Sequence, residues 1–107
     1  IAQATADILG QLRTDPGAWA ARRGLYHLAP AGETSWFGFA GAIRDALRMN
    51  CILNPIPTSD YPTPATRPAN SRMACGKLEK AFGLQLPDWR AAMQDCLAAF
   101  PDEFDTA

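Results

Sequence analysis

The sequence predicts an α/β chain of three to four helices joined by a few short strands. Apolar residues recur at helical spacing at the start, in the middle and near the end of the chain, and short extended runs bounded by Gly and Pro lie between them. With 107 residues, the chain can bury about 60 to 65% of its unfolded surface, which suffices for one modest core. Apolar residues at 48%, charged residues at 20% and a formal net charge of −1 are ordinary for a globular domain and argue against a nucleic-acid surface.

The first helix is read from Ile1, Ala4 or Thr5, Ile8 and Leu12, and it ends near Arg13, where Thr14-Asp15-Pro16-Gly17 stops a helix and turns the chain. Because Ile1-Ala2-Gln3-Ala4 already reads as mid-helix and no initiator Met precedes it, a natural N-terminal portion is expected to be missing. An Ala/Arg-rich connector leads to Gly24–Leu28, read as a strand, and to a loop of turn residues over 29–33. Thr34 or Ser35 can cap the next helix, in which Trp36, Phe39, Ala40, Ile43 and Leu47 form one apolar stripe that must be buried. Cys51–Pro57 reads as a second extended segment; its prolines cannot donate to a ladder and confine it to an edge or a strand end. Ser71–Ala74 adds a brief strand, Gly76–Phe82 a two-turn helix, and Gly83 stands where a left-handed C-terminal cap belongs. The last helix is placed with Pro87 at its first position, Asp88 near the positive end of its dipole, and Trp89, Ala92, Met93, Cys96, Leu97 and Phe100 on one face. Pro101 ends it, leaving 1–101 as the folded part and 102–107 as an acidic, flexible tail.

The run from Tyr61 to Ser71 holds Pro62, Pro64 and Pro68. Proline fixes φ near −65° and drives the preceding residue toward extended backbone, so Tyr61, Thr63 and Arg67 are stiffened before any tertiary contact forms. Arg67 is the candidate binding side chain, because a guanidinium makes bidentate hydrogen bonds to phosphate oxygens and keeps its charge when partly buried. Asn70 and Ser71 add neutral hydrogen-bonding groups. The same residues also serve turns for their own sake: Arg67 can pin the loop to carbonyls, and Asn70 can form an Asx turn.

No catalytic, cofactor-binding or metal-ligating residue is assigned. Gly38 and Gly41 fall inside a helix pattern rather than in a phosphate-cradling turn after a strand. Tyr26 is followed four positions on by Pro30, and Tyr61 by Ala65, so neither makes a Tyr-x-x-x-Lys pair. His27 reads as a packed or hydrogen-bonded structural imidazole, Trp36 and Trp89 as core, Asp88 and Asp95 as solvated surface, and Cys51, Cys75 and Cys96 as reduced core thiols. No apolar stretch approaches the ~18 residues of a membrane span, and the expected compartment is the cytoplasm.

Gly24–Leu28, Thr34-Ser35-Trp36, Pro57–Ala65, Arg67–Ser71 and Leu86-Pro87-Asp88-Trp89 occur in an order and spacing that resemble the C-terminal part of the dTDP-4-dehydrorhamnose reductase family, which are extended short-chain dehydrogenase/reductases. The resemblance runs from about Ile1 to about Phe100. Gly76 departs from the Ser or Thr common at the start of the short helix. The resemblance implies a Rossmann part that binds NADPH and carries the catalytic residues, with this chain as the smaller C-terminal part that closes over a dTDP-sugar through Arg67, Asn70 and Ser71. It implies hydride transfer to C4 of dTDP-4-dehydro-L-rhamnose, giving dTDP-L-rhamnose for polysaccharide synthesis. Some relatives bind Mg2+ at a dimer contact, and no residue here is matched to it. The implied partners are the missing Rossmann part, a dTDP-sugar and, through an uncovered sheet edge, a second copy. Membranes and nucleic acids are not among them. A non-catalytic relative acting as a regulatory subunit, as in methionine adenosyltransferase, and a free-standing nucleotide-sugar-binding module are the alternatives.

Overall fold

The computed structural model describes residues 1–100, which contain α1 (Ala2–Thr14), α2 (Pro16–Ala21), α3 (Trp36–Ala46), α4 (Gly76–Phe82), α5 (Trp89–Ala99) and one 3-10 turn, Thr58–Asp60. The acidic segment 102–107 lies outside them. The described residues fall into two compact units, one of Ile1–Ala31 with Arg72–Asp88, the other of Gly32–Ser71 with the chain from Trp89 onward.

In the first unit, Leu12, Ala18, Leu78 and Phe82 form the core, with Ile8, Tyr26, Leu28 and Leu86 among the residues packed around it. Helices α1 and α2 are separated by a single residue, and the sequence that stops one starts the other. The Thr14 hydroxyl donates to the Gln11 carbonyl at the end of α1. Asp15 then caps α2, its Oδ1 accepting the Gly17 N–H at 3.1 Å, and Pro16 takes an early position where no N–H is needed. The connector expected here is therefore helical over Pro16–Ala21.

The expected strands are the main correction, since the described residues contain no β-strand. Gly24–Leu28 keeps a strand-like alternation, with Tyr26 and Leu28 half-buried and Leu25 and His27 exposed, but no second strand lies beside it. What remains is one isolated parallel bridge, Ala31 to Asp88, in which the Ala31 N–H donates to the Pro87 carbonyl at 3.0 Å. Cys51–Pro57 and Ser71–Ala74 likewise form no ladder. A ladder needs a partner, and alternation within one segment cannot supply it.

Helix α4 closes on Gly83, whose φ of 66° is left-handed and whose N–H donates to the Glu79 carbonyl at 2.7 Å. Its N-cap position is Cys75, which makes no side-chain cap bond. Helix α5 starts at Trp89 rather than at Pro87.

In the second unit, α3 packs on α5, with Phe39 edge-to-face on Trp89 at 5.8 Å between ring centroids. The Ser35 hydroxyl caps α3 by accepting the Gly38 N–H at 3.0 Å. The apolar stripe of α3 is covered only in part: Phe39, Ala40, Ile43 and Leu47 are half-buried, whereas Trp36, on the first turn, is 88% exposed. Cys51 and Cys96 are exposed and Cys75 is half-buried, so these free thiols do not line a core, and His27 is exposed rather than packed. No described helix is long and apolar enough to cross a membrane.

Two substitutions test this packing by urea unfolding followed by circular dichroism. Leu78→Ala, at the most buried position, lowers stability by about 2 to 5 kcal/mol, and a loss under about 1 kcal/mol contradicts a closed core. Arg48 closes α3 at φ 52°, a left-handed conformation that costs a residue with a Cβ about 1 kcal/mol, so Arg48→Gly raises the midpoint rather than lowering it.

Candidate functional site

The candidate loop leaves the 3-10 turn, where the Asp60 N–H donates to the Pro57 carbonyl at 3.0 Å and the Tyr61 N–H to the Thr58 carbonyl at 3.2 Å. From Tyr61 to Ser71 the backbone has no regular hydrogen-bonded structure, as Pro62, Pro64 and Pro68 require. The chain bends at Pro64 and Ala65, and the Thr63 Oγ1 donates to the Ala65 carbonyl at 2.7 Å. Arg67, Asn70 and Ser71 are all exposed on this run, as is Tyr61. Asn70 and the neighbouring Arg72 each have an interaction partner already. The arrangement offers a guanidinium and short polar groups on a braced backbone, which suits an anionic, hydroxyl-rich ligand.

The glycines of α3 do not fit a dinucleotide pyrophosphate. A Cβ on Gly38 would stand 2.5 Å from the Thr34 Oγ1, so a side chain there would force that hydroxyl to turn away, and Gly41 lies mid-helix. Among the described residues no group of three or more His, Cys, Asp or Glu side chains is gathered to hold a metal ion.

Lys77 does meet a tyrosine, although not at the spacing of a catalytic pair. Its Nζ lies 4.6 Å from the Tyr26 ring centroid and donates to the Leu25 carbonyl at 2.8 Å, while the Tyr26 hydroxyl donates to the Arg22 carbonyl at 2.6 Å. The ammonium is held over the ring and by the Leu25 carbonyl, and the cluster acts as a strut tying α4 to the segment after α2. Beside it an apolar groove of about 350 Å3 is lined by Ile8, Trp19, Arg22, Tyr26 and Phe82.

Residues 1–101 match the model of the RmlD substrate binding domain. The chain belongs to that family. It is 43% identical over 106 residues to a dTDP-4-dehydrorhamnose reductase of Burkholderia thailandensis, an alignment covering 91% of this chain and 35% of that protein. It is 41% identical over 80 residues to the reductase of the same name from Escherichia coli K12, covering 69% of the chain and 27% of the relative. It is also 31% identical over 74 residues to the spore coat polysaccharide biosynthesis protein SpsK of Bacillus subtilis, covering 69% of the chain and 26% of the relative. This RmlD-type domain thus spans about a third or less of the length of these relatives.

Sequence spacing alone missed the Lys77–Tyr26 strut, since the two residues are far apart in the chain. Lys77→Met removes the hydrogen bond and the ring contact while keeping the aliphatic stem. It should lower the stability of the domain by about 0.5 to 1 kcal/mol in urea melts, and an unchanged midpoint removes the strut.

Proposed function

We propose that the chain is the substrate-binding part of a dTDP-4-dehydrorhamnose reductase, gripping the nucleotide sugar with the loop Tyr61–Ser71. The observation that carries this reading is the family match over residues 1–101 together with relatives that bear that name along most of the chain. Arg67 holds the diphosphate through its guanidinium, and Asn70 and Ser71 take hydrogen bonds from or to the ligand's neutral oxygens. The prolines lower the entropy lost when the loop is ordered around the ligand. Reduction of the 4-keto sugar, with NADPH as hydride donor on an extended short-chain dehydrogenase/reductase framework, belongs to the part of the reductase outside these residues. The free thiols of Cys51, Cys75 and Cys96 fit a reducing, cytoplasmic setting.

Titration calorimetry of dTDP-L-rhamnose against the full-length polypeptide that carries this chain tests the reading. Arg67→Ala should weaken binding by roughly ten- to a hundredfold, the equivalent of one charge-assisted hydrogen-bonded contact, and Arg67→Lys should restore only part of it. Unchanged binding in Arg67→Ala removes the loop from the site.

A further inference from the structure

We infer that Thr63 is a positioning residue for Arg67, acting through its hydroxyl bond to the Ala65 carbonyl; this rests on the reading of the loop as the diphosphate grip. The three prolines do not stiffen the loop evenly. Pro62, Pro64 and Pro68 fix their own φ angles and bias Tyr61, Thr63 and Arg67 toward extended backbone. Between Pro64 and Arg67, however, Ala65 and Thr66 carry no such constraint, and rotation there swings everything that follows, Arg67 first. The Thr63 Oγ1 donates to the Ala65 carbonyl at 2.7 Å, at the bend formed by Pro64 and Ala65. The bond spans Pro64 and fixes the orientation of the Ala65 peptide, leaving Thr66 as the one residue between Pro64 and Arg67 that neither a proline nor this bond restrains. Proline at 64 has no N–H with which to offer a competing bond, and the branched Cβ of threonine limits the hydroxyl to few rotamers. A local side-chain to backbone bond of this kind can set a turn with no help from a ladder.

Chemical specificity follows from the hydroxyl, so the variants separate it from shape. Thr63→Val keeps the branched outline and loses the donor; Thr63→Ala loses both; Thr63→Ser keeps the donor. In the full-length polypeptide, with dTDP-L-rhamnose as probe in calorimetry, Thr63→Val and Thr63→Ala should each weaken binding by roughly two- to tenfold, the range of one modest hydrogen bond. Thr63→Ser should bind close to the parent protein, and all should melt at its temperature. The deciding measurement is the double variant: if Thr63 works through Arg67, then Thr63→Val adds nothing to the loss caused by Arg67→Ala. A loss that adds in full overturns the inference, as does parent-like binding by Thr63→Val beside a weakened Arg67→Ala, which leaves the grip itself standing. Parent-like binding by both single variants removes the grip and this inference together.

Discussion

Leu78 and Phe82 can be buried only if residues 72–88 return to pack on the helices formed by residues 2–21, and that return organises the first unit. Leu78 is 2% exposed and Phe82 8%, against Leu12 and Ala18 from the other end of the sequence. The apolar contact is locked by polar ones that span the same gap. Gln11 Nε2 donates to the Phe82 carbonyl at 3.0 Å, the Arg22 guanidinium lies 5.6 Å from the Phe82 ring centroid, and Lys77 reaches the Leu25 carbonyl. Closing so long a loop costs entropy that grows only slowly with length, so a few well-buried side chains suffice to hold it. Residues 32–71, which include the candidate loop, are thereby an excursion between two segments that the first unit keeps together.

What was legible in the sequence was local chemistry. The end of α1, the Ser35 cap of α3, the left-handed Gly83 and the braced character of 61–71 each follow from neighbouring residues acting on their own backbone. Helix α2 was not legible, because Thr14-Asp15-Pro16-Gly17 reads equally as a stop and as a start, and only the Asp15 cap on Gly17 distinguishes them. The strands do not form within the described residues for a different reason: Gly24–Leu28 has the period of a strand, yet a ladder is a property of two segments, and its neighbours are not among these residues. Trp36 shows the same limit for burial, since its place on an apolar stripe fixes which face it occupies but not whether anything covers that face.

The site divides along the same line. The chemistry of Arg67, Asn70 and Ser71 is legible in the sequence, and the structure places all of them exposed on irregular backbone, with Asn70 already engaged by a partner. The hydroxyl bond from Thr63 had no signature, because threonine beside proline is common and its donor has many acceptors within reach.

Apolar packing in the second unit is thin, so local constraints weigh more heavily in the order of its loop. Among the described residues of that unit Trp89 alone is buried, while Trp36 and Ile52 are each 88% exposed. A side chain left in water contributes little of the ~1.5 to 3 kcal/mol that full burial of a large apolar group supplies, so apolar burial around the loop adds little to its shape. Prolines and a short hydroxyl bond act differently, restricting the chain before any core forms and needing no neighbour to do so. A segment stiffened from within keeps its cation presented whether or not the rest of the unit is covered.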